Sequence, residues 1–151
     1  MRWSPLLLLL LAPSLATAWP PNGARLTGAI RPQVAPMIAS DGVGGAFVAW
    51  QDQRDYFDPL NYLTDLYLQR VTLTGQIAPG WPSDGLAVAT GPGFQFPEAI
   101  LPDGNGGLLI AYGDDRLDFG DIHLQRITAA GTVAPGWPSS GVPIEIGRAH
   151  V

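Results

Sequence analysis

The stretch DGVGGAFVAW at residues 41–50 returns as DGNGGLLIAY at residues 103–112, and this repetition decides the fold. Each copy begins with a glycine-rich turn and continues into a run of apolar residues. Glycine allows the positive φ that tight hairpin turns require, and aspartate can accept a hydrogen bond from its own following backbone. The pattern predicts a hairpin turn that leads into a buried strand, present twice in the chain.

Two further segments return in the same order. DLYLQR at 65–70 returns as DIHLQR at 121–126, and APGWPSDG at 78–85 returns as APGWPSSG at 134–141. A stub of a third copy, WPPNG, occupies residues 19–23. Repeats of this length are typical of arrays, propellers and solenoids, in which one unit cannot bury its own faces. We therefore divide the chain into a partial repeat with a lead-in strand (19–32, called the lead-in segment), a first repeat (33–94) and a truncated second repeat (95–144).

Each repeat is predicted to contain four short strands. In the first repeat these cover residues 34–39, 46–52, 65–72 and 86–90. Phe47 and Ala49 point to one side of the second strand and Val48 and Trp50 to the other, so the sheet needs a cover on both faces. We predict an all-β fold of tandem four-stranded antiparallel repeats arranged as part of a β-propeller; a β-sandwich or a β-solenoid is the alternative.

At these residues the chain resembles a widespread type of exported bacterial repeat protein. Its blades carry a glycine pair, an aliphatic run, tryptophan, aspartate and arginine, then a Gln-Arg strand and a closing tryptophan. The matching residues are Gly45, Trp50, Asp52, Arg54, Arg70 and Trp81 in the first repeat, and Gly107, Tyr112, Asp114, Arg116, Arg126 and Trp137 in the second. Tyr112 departs from the pattern. The resemblance implies a propeller-like architecture and export, and almost nothing about activity, because fold does not fix function.

The two ends of the sequence have their own patterns. Residues 1–18 combine Arg2, an apolar run at 6–11 and the motif Ala-Thr-Ala at 16–18, which predicts a cleaved signal peptide and a secreted, extracellular or periplasmic chain. Residues 145–151, EIGRAHV, can be back-translated into a common sequencing-adapter read. We expect them to be a non-native tail on a truncated fragment, with further C-terminal repeats belonging to the same protein.

Composition limits the classes of partner. The formal net charge is −5, and the chain has no cysteine. A negative chain lacks the clustered cations that nucleic acids and anionic membranes attract, so we expect neither a nucleic-acid partner nor a membrane partner after signal cleavage. Without cysteine there is no disulfide and no thiolate zinc site. The 46% of hydrophobic residues, together with 19 glycines and 15 prolines, indicates a turn-rich globular β protein.

Acidic loops follow the second strand of each repeat and provide the only candidates for a metal site. The calcium candidates are Asp114, Asp115, Asp118 and Asp121, and the first repeat has the comparable set Asp52, Asp55, Asp58 and Asp65. Asp52 and Asp114 each precede an arginine by two residues, and the other aspartates fall at turn positions. Arg–Asp pairing and turn capping is therefore the favoured interpretation.

Other chemistry is less well supported by the sequence. Asp114 and Asp118 have the residue types of a glycoside-hydrolase pair, but these aspartates recur in both repeats, whereas a catalytic pair normally occurs once. Trp50, Trp81 and Trp137 can stack on sugars, yet their place in the repeat favours packing between units.

We predict no catalytic residue and no cofactor. The expected function is a secreted, non-catalytic β-repeat module that provides a structural or interaction surface for a protein or glycan. Two alternatives stay open: the N-terminal blades of a propeller-type, polysaccharide-active enzyme, and a calcium-stabilised, adhesin-like repeat.

Overall fold

The computed structural model describes residues 19–56, 63–116 and 120–144, which contain eight strands and no helix. The strands are β1 (Gln33–Ser40), β2 (Ala46–Asp52), β3 (Asp65–Val71), β4 (Leu86–Ala89), β5 (Gln95–Pro102), β6 (Leu108–Asp114), β7 (Asp121–Ile127) and β8 (Val142–Ile144). They form two four-stranded sheets, ordered β1-β2-β3-β4 and β5-β6-β7-β8. All neighbouring strands in these sheets are antiparallel. The predicted all-β class with four antiparallel strands per unit is confirmed.

The two sheets have the same register. Gln33 lies opposite Asp52 in the first sheet, as Gln95 lies opposite Asp114 in the second. Each first strand contains an irregularity, and in β1 it coincides with a positive φ of 49° at Ala35. β1 is one residue longer at each end than the predicted 34–39. The predicted lead-in strand is wrong: the lead-in segment contains no strand, and this includes residues 24–27, which precede β1 as β4 precedes β5.

One aspartate organises the turn between the first two strands of each sheet. Asp41 Oδ1 accepts hydrogen bonds from the backbone N–H groups of Val43 and Gly45, at 2.9 and 2.8 Å. Its other oxygen lies 2.9 Å from Arg70 Nη2, which ties the turn to β3. Burial acts to raise the pKa of Asp41, but these donors outweigh it and the pKa is lowered. Asp103 and Arg126 form the equivalent pair in the second sheet, at 2.8 Å.

The sheets pack through different faces. Because side chains alternate along a strand, each sheet has two faces. On the first sheet we call them the Phe47 face (Phe47, Ala49, Leu66, Leu68) and the Trp50 face (Ala46, Val48, Trp50, Tyr67). On the second sheet we call them the Leu109 face (Leu109, Ala111, Leu124) and the Tyr112 face (Leu108, Ile110, Tyr112, Ile127).

One buried cluster joins the Phe47 face to the Tyr112 face. Phe47 corresponds in register to Leu109, whereas Tyr112 corresponds to Trp50. The stacking is therefore head-to-tail: one face of the first sheet meets the opposite type of face on the second. The Trp50 face and the Leu109 face lie on the outside of the pair.

Candidate interaction surface

The Leu109 face is an exposed apolar region of the second sheet. Leu109, Ala111 and Leu124 are partly exposed. Their counterparts on the first sheet, Phe47, Ala49 and Leu68, are completely buried by the second sheet. Equivalent apolar side chains are therefore covered in the first sheet and, among the described residues, uncovered in the second sheet.

This face continues across all four strands of the second sheet. Cross-strand partners share a face, so the partners of Leu109 and Leu124 extend the apolar region to both edges. The exposed members at these edges are Leu101 at 62%, Val142 at 42% and Ile144 at 38%. Contiguous apolar surface of this kind marks a site of interaction in a folded protein.

A tryptophan accompanies the covered interface. Trp81 Nε1 donates a hydrogen bond to Ala129 O at 3.0 Å, so the segment after β3 is tied to the turn after β7. The Trp81 ring also packs against Phe47, with ring centroids 5.8 Å apart. Trp81 therefore lies at the junction between the two sheets, in agreement with its packing interpretation, whereas Trp50 lies on the outer Trp50 face and bonds to Asp52.

The same contact is present at the start of the chain. Trp19 Nε1 donates to Leu73 O at 2.8 Å, and Leu73 occupies the position in the first repeat that Ala129 occupies in the second. Trp19 thus lies on the first sheet as Trp81 lies on the second. Trp137, the next tryptophan in the series, is partly exposed.

The predicted Asp–Arg pairs lie at the ends of β2 and β6. Asp52 accepts from Trp50 Nε1 at 2.8 Å and from Arg54 Nη2 at 2.7 Å, and Asp114 pairs with Arg116 in the same way along the chain. Burial acts to raise the pKa of both carboxyls, but hydrogen bonds from the arginines outweigh it and both pKa values are lowered. Arg54 also lies 3.8 Å from the Tyr67 ring centroid, where it adds a cation–π contact.

The structure places only part of the predicted calcium set. Asp114 is engaged by Arg116, Asp115 accepts from the backbone N–H of Phe94, and Asp121 lies exposed opposite Asp114. Asp118 lies outside the described residues, so the structure does not test whether Asp114 and Asp118 form a pair. Within 19–56, 63–116 and 120–144, no cluster of three or more acidic or histidine side chains could hold a metal ion.

The sequence analysis grouped Asp65 with the acidic loop of the first repeat but did not predict that it is buried at the start of β3. Asp65 is almost fully buried and accepts from Gly91 N at 3.1 Å, while the Tyr56 hydroxyl lies 3.2 Å from the same carboxylate oxygen. Burial raises the pKa of Asp65 and, with the nearby carboxylates, raises the pKa of Tyr56 to about 12. The contacts join residues that are distant in sequence, so no local pattern could reveal them.

The tyrosine at the tryptophan position also has its own contact. Tyr112 is fully buried, and its hydroxyl donates to Ser140 O at 2.6 Å, whereas Trp50 bonds to Asp52. Burial raises the pKa of Tyr112 to about 12. His123 stacks on this ring at 5.5 Å, as Tyr67 stacks on Trp50 at 6.2 Å. These aromatic residues form a packing unit within each sheet.

In the part of the chain that the structure describes, no helix is long and apolar enough to cross a membrane. Comparison of the chain with protein-family models, with curated proteins and with solved structures finds no match.

Proposed function

We propose that this chain is a secreted, non-catalytic β-repeat module, built as part of a propeller-like array, whose function is to provide a structural or interaction surface. The observation that supports the proposal most is the contrast between Leu68, which is 0% exposed, and its counterpart Leu124, which is partly exposed. The two leucines have equivalent positions in the sequence repeat and in the strand register, but only Leu68 is covered by a neighbouring sheet.

Head-to-tail stacking explains why the surface exists. When a face of one unit packs on a different face of the next, the contact does not close after two units, and an acceptor face remains at the end of the series. In repeat proteins each unit is stabilised chiefly by its neighbours. A further repeat of the same protein is the simplest cover for the Leu109 face, and an external protein or glycan is the other.

The electrostatics favour a structural role for the repeated carboxylates. A general acid works best when its pKa lies near the working pH, which for a carboxyl requires a raised value. The pKa values of Asp52 and Asp114 are lowered instead, and arginine occupies their oxygens. These groups stay ionised and hold the ends of β2 and β6 in place.

The proposal is tested by adding a repeat within the chain. A second copy of residues 89–144 is inserted directly after Ile144, because Ile144 follows Trp137 at the same spacing as Val88 follows Trp81 in the sequence repeat. In this extended chain the added sheet is expected to cover the Leu109 face as the second sheet covers the Phe47 face. The melting temperature should rise, whereas the binding of an apolar fluorescent dye per chain should change little, because the added sheet leaves its own outer face open at the end of the series.

A matched control has Ile110→Glu in the added copy alone, which places a charge in the new interface and leaves the original sheets unchanged. The control should keep the melting temperature of the unextended chain and should bind more dye than either of the other two chains, because its added copy is not docked. If the extended chain and its control behave alike, the Leu109 face does not accept a repeat unit, and the proposed function is wrong. Export is tested separately, since the secreted chain should have the mass expected for cleavage after Ala18.

A further inference from the structure

The first sheet also has an incompletely covered side. On the Trp50 face, Val48 is partly exposed, whereas its counterpart Ile110 is 0% exposed. Ile38, the cross-strand partner of Val48, is 74% exposed, but the equivalent Ile100 packs against the core. The Trp50 face corresponds in register to the Tyr112 face, which packs on the Phe47 face inside the chain. It is less completely buried than the Tyr112 face.

The lead-in segment occupies only part of the Trp50 side. Trp19 bonds to Leu73 O, Gln69 Nε2 donates to Leu26 O at 3.4 Å, and Arg54 donates to Thr27 Oγ1 at 3.3 Å. Trp19 itself remains 51% exposed. The segment is attached through a few polar contacts and leaves the apolar side chain of Val48 within reach of a partner.

The two outer faces are complementary, because the same two types of face already pack together inside the chain. Inside the chain, a face of the Phe47 type accepts a face of the Tyr112 type. The Leu109 face is of the first type and the Trp50 face is of the second type. We propose that copies of this chain associate head-to-tail, with the Leu109 face of one copy packed on the Trp50 face of the next. This inference rests on the proposed function and names a second copy as the partner.

The tryptophans give the association a built-in competitor. In the covered interface Trp81 donates to Ala129 O. The equivalent contact between copies joins Trp137 of one copy to Leu73 O of the next, and that oxygen is already bonded to Trp19 of its own chain. The Trp19 ring lies against Gly75 as the Trp81 ring lies against Gly131, so Trp19 and Trp137 compete for one position. Trp19 therefore opposes assembly and Trp137 favours it.

An arginine supports the same geometry. Arg70 Nη1 donates to Ala129 O at 3.3 Å across the covered interface. Arg126 has the same place at the end of the Leu109 face, and its side chain is 36% exposed compared with 17% for Arg70. In the assembly Arg126 acquires the contact that Arg70 already has. Because the contact is heterologous, it gives rings or open series rather than an isologous dimer.

The test is sedimentation velocity of the purified chain over a wide range of concentration. We expect reversible, concentration-dependent association. Leu124→Glu should abolish it, and Leu109→Glu is a second variant that should do the same. Val43→Glu is the matched control, because Val43 is 73% exposed at the tip of a turn and belongs to neither face. Circular dichroism verifies that each variant is folded.

The tryptophan variants give the sharper result, because they are expected to change the affinity in opposite directions. Trp19→Ala should tighten association and Trp137→Ala should weaken it, each by up to about tenfold for the hydrogen bond concerned. A chain that is monomeric at every concentration overturns the inference, as does association that survives Leu124→Glu, or a change of the same sign in both tryptophan variants. If the added repeat docks in the extended chain but separate copies do not associate, the inference fails and the proposed function stands.

Discussion

Truncation of one leucine in each sheet is expected to have very different effects on stability. Leu68 in β3 and Leu124 in β7 have the same register, pairing with Ala49 and Ala111 respectively. Leu68 belongs to the cluster that joins the two sheets and is 0% exposed, whereas Leu124 lies on the open Leu109 face. The comparison of Leu68→Ala with Leu124→Ala therefore isolates the contribution of the covering sheet.

The expected magnitudes follow from burial. Removing a fully buried leucine loses its transfer free energy and leaves a cavity, which costs about 3 to 5 kcal/mol. At Leu124 the side chain is already partly in water and no closed cavity forms, so the free energy of unfolding should fall by only about 1 kcal/mol. The two variants should therefore differ by at least about 2 kcal/mol.

Urea denaturation followed by tryptophan fluorescence measures this difference. With a slope of about 2 kcal/mol per M, the midpoint of Leu68→Ala should lie roughly 1 M below that of Leu124→Ala. The measurement is made at low protein concentration, where copies are separate. Equal losses of stability in the two variants would refute the reasoning, because they would mean that both leucines are equally covered.

Four further predictions concern the turns and the acidic groups. Gly141→Ala places a Cβ 2.6 Å from the Tyr112 hydroxyl at a φ of 74°, and it should lower the free energy of unfolding by about 3 kcal/mol. Gly136→Ala has a φ of 84° but open space around the new Cβ, so backbone strain alone should lower the free energy of unfolding by about 1 kcal/mol. Thermal melts compare the two variants. Asp65→Asn should stabilise the protein at neutral pH, since the pKa of Asp65 is raised, and the gain should vanish as the pH falls and the wild-type carboxyl takes up its proton. Asp52→Asn should cost about 1.5 to 3 kcal/mol at neutral pH, because the pKa of Asp52 is lowered, and the loss should shrink as the pH falls through that lowered value. Calcium should raise the melting temperature no more than sodium chloride at matched ionic strength, and a calcium-specific shift reversed by a chelator would restore the metal site as a candidate.

The strands were predictable because their signals are local. The DGVGG and DGNGG turns fix where β2 and β6 begin, and each apolar run is short enough to be a strand. In the structure the turn aspartates Asp41 and Asp103 accept hydrogen bonds from the following backbone, which is the reason for aspartate at these positions. The segment 24–27 has the spacing of a fourth strand but pairs with none, since strand formation also needs a neighbour.

The stacking of the sheets could not be read from the sequence. Phe47 and Leu109 have equivalent positions, and nothing in their neighbours distinguishes the covered residue from the open one. Exposure depends on which unit follows in space, which is a tertiary property. The bond from Tyr112 to Ser140 likewise depends on the loop before β8 rather than on local pattern.

Exposure of the Leu109 face is measured most directly by NMR relaxation of leucine methyl groups in the presence of a soluble paramagnetic reagent. The methyl groups of Leu124 and Leu109 should relax strongly, while those of Leu68 should be protected because it is fully buried. In the extended chain, relaxation at Leu124 should fall to the level of Leu68. Methyl groups of Leu124 that are as protected as those of Leu68 in the unextended, monomeric chain would contradict the account.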